Sequence, residues 1–189
     1  MSDTGWKSSG TVVSDDTVGT VAWSDPENAK ASDDSYSRTG EQYSIVTTNY
    51  LKATNFGLSI PSESTIDGIE VSIERQAKSD SGANVIKDNR VSLVDSDGSI
   101  LSANKKDSNY WLYSSDETVT YGGDEDLWSE TWSSSDINDS DFGVVLSADL
   151  TYGTEDDARV DHIQIKVYYT DSDTPTVGTG YPLPPFKNS

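Results

Sequence analysis

The sequence predicts an all-β domain, a two-sheet antiparallel β-sandwich of jelly-roll type with an extended C-terminal arm. Apolar residues recur at every second position in several short segments, and turn-forming residues separate these segments. Alternation at period two gives each strand one buried and one wet face, as in an antiparallel sheet. Several such strands at short spacing are typical of a sandwich, because both of its inner faces must be apolar.

The first 40 residues are the least regular part of the predicted domain, which spans residues 1–170. Residues 11–13 and 20–23 are strand candidates, because they are rich in Thr and Val and the second ends in Trp23. The dipeptide Asp25-Pro26 predicts a turn after them.

The middle of the chain alternates strand signals with turn signals. The alternating apolar runs after Ile60-Pro61 are Ile69, Val71 and Ile73, then Val91 and Leu93, and then Phe142, Val144 and Leu146. The dipeptide Asp97-Gly98 suits a tight hairpin turn between residues 91–95 and 99–102. Residues 133–139 predict a short capped turn.

The last strand carries the longest alternation. We expect Ile163, Ile165 and Val167 to be buried on one face, with Gln164 and Lys166 exposed on the other. Asp161 precedes this run on the buried parity, so we expect its carboxylate to accept hydrogen bonds at the start of the strand.

The composition changes after Thr170, and residues 171–189 form the predicted arm. Its candidate subunit-interface residues are the apolar groups and prolines Tyr181, Pro182, Leu183, Pro184, Pro185 and Phe186. Prolines hold such a segment extended and lower the entropy lost on docking. We expect the arm to bind a neighbouring subunit; the alternative is that it folds back on its own domain.

The chain is strongly acidic, with 33 Asp and Glu against 13 Lys and Arg and a formal charge of −20. This charge repels phosphates and excludes direct binding of nucleic acid. The many Asp and few Lys residues indicate a salt-adapted, halophilic protein, although a high net charge also simply maintains solubility.

We predict that thermal stability rises as NaCl is raised from low to molar concentration, because screening weakens self-repulsion. A melting temperature that stays flat or falls over that range, measured by differential scanning fluorimetry, would contradict salt adaptation.

The sequence lacks cysteines, long apolar segments and signal-peptide features, and this restricts the class of protein. The sequence has no cysteine, so it has neither disulfides nor thiolate metal ligands. No segment approaches the ~18 apolar residues of a membrane span, and residues 1–5 lack the features of a signal peptide. We therefore expect a protein made in the cytoplasm without a signal peptide.

Acidic loops supply the candidate metal ligands Asp124, Asp126, Asp156 and Asp157. Carboxylate oxygens suit loosely bound Ca²⁺ or Mg²⁺, but such runs are more often solvated loop charge. Asp95 and Asp97 begin a segment that resembles a calcium loop, but the later ligands are missing and a hairpin turn fits better. The sole histidine, His162, is expected on the polar face and without a catalytic role.

Aromatic residues suggest a second kind of site. Tyr110 and Trp111 follow a polar run and are the candidate exposed pair for glycan contact. Trp23, Trp128 and Trp132 are expected to fill the core instead.

A set of short motifs occurs in a fixed order between Trp23 and Thr170. The set is Trp23-Ser24-Asp25-Pro26-Glu27-Asn28-Ala29, Phe56-Gly57-Leu58, Ile60-Pro61, Ile66-Asp67-Gly68-Ile69, Asp88-Asn89-Arg90-Val91-Ser92-Leu93-Val94, Tyr121-Gly122-Gly123, Asp126-Leu127-Trp128, Asp136-Ile137-Asn138, Phe142-Gly143-Val144 and Val160-Asp161-His162. In this order it resembles a β-sandwich domain of virion proteins from tailed bacterial and archaeal viruses. The resemblance implies a structural protein of the capsid decoration, neck or tail, with no catalytic residues and no cofactor.

The function expected from the sequence is therefore that of a non-enzymatic viral structural protein, outward-facing on the virion. Its expected partners are other virion proteins, in a homo-oligomeric assembly joined through the arm. The alternative is a carbohydrate- or receptor-binding adhesin module on the virion surface.

Overall fold

A computed structural model describes residues 1–79, 85–153 and 155–172. It confirms the predicted fold, because two antiparallel sheets pack as a sandwich. The strands are β1 (Ser2–Asp3), β2 (Lys7–Ser8), β3 (Thr11–Asp15), β4 (Ser37–Arg38), β5 (Val46–Thr47), β6 (Tyr50–Thr54), β7 (Thr65–Lys78), β8 (Ile86–Val94), β9 (Glu117–Gly123), β10 (Gly143–Leu150) and β11 (Asp157–Thr170). The helices are a 3₁₀ turn, Pro26–Ala29, and α1, Ser134–Asn138.

Sheet A is built around β11. Along one side β11 pairs with β7 from Asp157 opposite Lys78 to Thr170 opposite Thr65, and β9 lies beyond β7. Along the other side, the short strands β1, β2 and β4 follow one another. The N-terminal part of the chain thus completes the sheet.

Sheet B is built around β10. Strand β8 pairs along one side of β10, whereas β6 and then β5 pair along the other. Strand β3 lies outside β6.

The apolar faces of the two sheets form the core between them. Ile163, Ile165 and Val167 are fully buried, as predicted. Gln164 and Lys166 are half-buried, so the prediction that they are exposed is wrong in degree. Neighbouring side chains cover Lys166, because its Nζ lies 4.5 Å from the centre of the Trp6 ring and 2.8 Å from Glu70 Oε2.

The N-terminal predictions are confirmed in part. Residues 11–13 lie in β3, but residues 20–23 form no strand and make only a single bridge, from Val21 to Thr48. Trp23 is buried nonetheless, and its Nε1 donates a hydrogen bond to the Asn49 carbonyl at 2.8 Å. Burial of one large ring therefore fixes this segment without a strand.

All three predicted turns are present, and the first is the 3₁₀ turn Pro26–Ala29 that follows Asp25. The Asp95 amide donates to the Ser99 carbonyl at 3.0 Å, and Gly98 takes a φ of 79°, which glycine adopts without strain. The chain then makes one bridge, from Val94 to Ile100, instead of a second full strand. Residues 133–139 contain α1, capped by Ser133.

A bulge interrupts β11 between Val160 and His162. The extra residue, Asp161, is buried as predicted, and its carboxylate accepts hydrogen bonds from the Asp33 and Asp34 amides at 3.4 and 3.3 Å. Burial raises the pKa of Asp161. This carboxylate ties the loop before β4 to sheet A. In the part of the chain described, no helix has the length and apolar character needed to span a bilayer.

Candidate functional site

A groove of about 690 Å³ lies on the outer face of sheet B. Lys87, Asp149 and Thr47 form a row across its floor, because Asp149 of β10 pairs with Lys87 on one side and with Thr47 on the other. The further lining residues come from loops and strand ends and are Val18, Gly19, Thr20, Ile45, Val46, Asn89 and Thr151. Ile45 is 76% exposed, so the groove has an apolar rim.

A bulge in β8 places Asn89 at this groove. Asp88 pairs with Ala148 and Arg90 pairs with Ser147, which leaves Asn89 as the extra residue. As a result Lys87 and Asn89 both line the groove, while Asp88 between them faces the sandwich interior.

The polar groups of the groove are only partly used by the protein. Asp149 accepts a hydrogen bond from Thr47 Oγ1 at 2.7 Å. The side chains of Lys87 and Asn89 form no hydrogen bond with any other described residue, and neither does the buried hydroxyl of Ser147 on the same face. The groove therefore offers an ammonium group and an amide to a ligand.

A buried charge network lies directly behind the groove. Arg75 of β7 forms an ion pair with Asp88 of β8, and both side chains are fully buried between the sheets. Asp88 also accepts hydrogen bonds from Trp111 Nε1, the Tyr121 hydroxyl and the Asp107 amide, at 2.8, 2.8 and 2.9 Å. Burial raises the pKa of Tyr121, which keeps its hydroxyl protonated as a donor.

This network corrects the prediction of an exposed Tyr110–Trp111 pair. Trp111 is fully buried, and the Arg75 guanidinium lies 5.1 Å from the centre of its ring. Tyr110 is 45% exposed and bridges to Lys87. Neighbouring residues of an extended chain lie on opposite sides, so only one member of the pair was free to face solvent.

The other three tryptophans assigned to the core pack there. Trp23 and Trp128 are buried. Trp132 is half-buried, and the centre of its ring lies 5.3 Å from the centre of the Phe142 ring. The predicted interface residues Tyr181, Pro182, Leu183, Pro184, Pro185 and Phe186 lie outside the described residues.

The candidate metal ligands do not form one cluster, and several already have partners within the chain. These residues are Asp124, Asp126, Asp156 and Asp157. Asp126 forms an ion pair with Lys105, and Asp157 forms one with Arg159 at 2.8 Å. Asp156 is buried and accepts from Ser79 Oγ at 2.9 Å. Across residues 1–79, 85–153 and 155–172, no group of three Asp, Glu or His side chains is arranged to hold a metal ion.

His162 lies on the polar face of β11, as predicted. Its Nε2 is 2.8 Å from Ser8 Oγ, and burial lowers its pKa. Glu74 lies opposite on β7, but no hydrogen bond joins it to the imidazole. This arrangement holds β2 against β11.

No protein-family model matches the sequence, and no curated protein sequence matches it either. Among solved structures, the chain is similar to the CBM22-1 xylan-binding domain of Xyn10C from Paenibacillus barcinonensis, at 11% identity and a TM-score of 0.38, covering 86% of this chain and 85% of that one. It is also similar to a CBM4 structure, at 12% identity and a TM-score of 0.37, covering 86% and 94%. The N-terminal cellulose-binding domain of β-1,4-glucanase C from Cellulomonas fimi is similar at 12% identity and a TM-score of 0.34, covering 90% and 94%.

Proposed function

We propose that this chain is a non-enzymatic carbohydrate-binding domain that holds a neutral glycan in the groove of sheet B. The observation that carries the proposal is the lining of the groove. Neutral hydrogen-bonding groups from Thr20, Thr47 and Asn89 lie there together with the exposed aliphatic side chain of Ile45. Sugar rings present hydroxyl groups and apolar C–H faces side by side, so they match such a surface.

The charge of the chain supports a neutral ligand. A net charge of −20 repels acidic polysaccharides and nucleic acids over about one Debye length, ~8 Å at physiological salt. Within the groove, Lys87 and Asp149 lie side by side and offset each other. A neutral glycan is not repelled by the net charge of the chain, and it can still form hydrogen bonds with both Lys87 and Asp149.

The backbone beneath the groove is rigid, which favours binding. The bulge that presents Asn89 follows Asp88, whose carboxylate is fixed by four hydrogen bonds or ion-pair contacts. A pre-organised surface loses less entropy when a ligand binds. The backbone of Tyr110 bridges to that of Lys87, which braces this edge of the groove.

The test is affinity electrophoresis of the purified chain through gels that contain soluble neutral polysaccharides. Asn89→Ala should weaken retention by about threefold to tenfold, because it removes one hydrogen bond of about 0.5–1.5 kcal/mol. The matched control is Thr120→Ala, an exposed position on β9 in sheet A, which should migrate like the unmodified protein. Absence of retention in every neutral glycan, or equal retention of Asn89→Ala and Thr120→Ala, would overturn the proposal.

A second candidate function is supported by the order of the sequence motifs between Trp23 and Thr170, which resembles virion proteins of tailed viruses. A glycan-binding module displayed on a virion would combine both roles, with the segment after Thr170 as its attachment. A cryo-EM map of the native particle tests this candidate, and it fails if no density on the outer surface fits the sandwich.

A further inference from the structure

A smaller cavity of about 280 Å³ lies at the edge of sheet A, away from the groove. Two arginines line it, Arg38 of β4 and Arg159 of β11, and they are direct cross-strand partners. Like charges placed directly opposite each other destabilise a strand pair. The chain has only 13 basic residues against 33 acidic ones, so two facing arginines are an unusual arrangement.

The arginines keep most of their hydrogen-bond donors free. Arg159 uses Nε for Asp157 at 2.8 Å, and its two terminal nitrogens bond no other described residue. The Arg38 side chain forms no ion pair or hydrogen bond within the described part of the chain. Two guanidinium groups with free N–H donors at one cavity match the geometry of a carboxylate.

The cavity wall next to the arginines is held in place. The Tyr36 hydroxyl donates to both Asp116 oxygens, at 2.9 and 3.1 Å, and the Arg159 guanidinium lies 5.7 Å from the centre of the Tyr36 ring. Asn28 Nδ2 donates to the Tyr36 carbonyl at 3.2 Å. These contacts position Tyr36 and Arg159 before any ligand arrives.

The remaining wall restricts what can bind. Asp25 and Asp34 line the cavity and take positive φ values of 51° and 63°, yet neither forms an ion pair with Arg38 or Arg159. Their carboxylates would repel a second negative charge and would accept hydrogen bonds from hydroxyl or amide groups. The ligand must therefore carry its single charge at one end.

We infer that this cavity binds a small ligand with one carboxylate, which Arg38 and Arg159 hold together, and with hydroxyl or amide groups facing Asp25 and Asp34. The site is separate from the groove and does not depend on the function proposed for it. A carboxylate of this kind can come from an acidic sugar or from the free end of a peptide.

The experiment is an NMR titration of the ¹⁵N-labelled chain with methyl β-glucuronide, N-acetylalanine and the uncharged methyl β-glucoside. Both carboxylates should shift the amide signals of Arg38, Tyr36 and Arg159, whereas the glucoside should not. Arg38→Gln should weaken carboxylate binding by about tenfold, because it removes charge-assisted hydrogen bonds. Lys106→Gln, the same charge change at an exposed loop position, should bind like the unmodified chain.

Each outcome decides the question. Tighter binding of the glucuronide assigns an acidic sugar, and tighter binding of N-acetylalanine assigns a peptide end; both support the site. The inference is overturned if neither carboxylate shifts these signals, or if Arg38→Gln binds as well as Lys106→Gln. Since the Arg38 side chain has no partner among the described residues and faces the like charge of Arg159, its replacement should leave the melting temperature unchanged or slightly raised.

Discussion

Replacing Asp88 with Ala is expected to lower the free energy of unfolding by about 3–5 kcal/mol. The substitution leaves the Arg75 guanidinium as a charge buried between the sheets, and it also removes the acceptor for Trp111 Nε1 and the Tyr121 hydroxyl. Asp107 and Glu117, at 3.2 and 3.3 Å from Arg75, offset part of this loss. Urea denaturation followed by tryptophan fluorescence measures the effect.

Two further variants separate the buried ion pair from the loss of one acidic residue. Asp124→Ala removes the same charge at an exposed loop and should change stability by no more than about 0.5 kcal/mol. The double variant Arg75→Met, Asp88→Leu should be more stable than Asp88→Ala alone, because no unpaired charge remains at a fully buried position. If Asp88→Ala unfolds at the same urea concentration as Asp124→Ala, the network does not contribute to stability.

Replacing Ile165 with Ala should cost about 2–5 kcal/mol, because it removes buried methyl and methylene groups and leaves a cavity in the core. Ile165 lies in the centre of β11 and pairs with Val71 of β7, and both side chains are fully buried. The neighbouring Gln164→Ala acts on the half-buried outer face and serves as the control. Equal unfolding midpoints for the two variants would show that this part of the core collapses around the missing group.

The period-two alternation was sufficient to predict the sandwich and the buried face of β11, because burial of one face constrains every second residue. It was not sufficient at bulges. After the bulge in β8, the residues that face inward occupy odd positions, as Val91 and Leu93 do. Before the bulge they occupy even positions, as Ile86 and Asp88 do. The extra residue Asn89 exchanges the two faces, so extending the odd parity backwards assigns Lys87 to the wrong side.

The buried network was also beyond what alternation alone predicts. Arg75 occupies the same parity as Ile69, Val71 and Ile73, so its inward position was available from the sequence. Its partner Asp88 was not, because thirteen residues and a bulge separate the two and the chain offers 33 acidic candidates. Trp111 was placed outside for a related reason, since the hydrogen bond from its Nε1 to Asp88 depends on contacts between distant strands.

The central place of β11 in sheet A has a consequence for how the chain acquires its structure. Strand β7 and the N-terminal strands β1, β2 and β4 all depend on β11, which is synthesised after them. At about 5–20 residues per second, β7 leaves the ribosome several seconds before its main partner exists. One backbone edge of β7 stays unpaired during that time, and pairing between distant strands places folding in the millisecond-to-second range. Sheet A should therefore close after translation has passed Thr170, in a late step that joins the two ends of the domain.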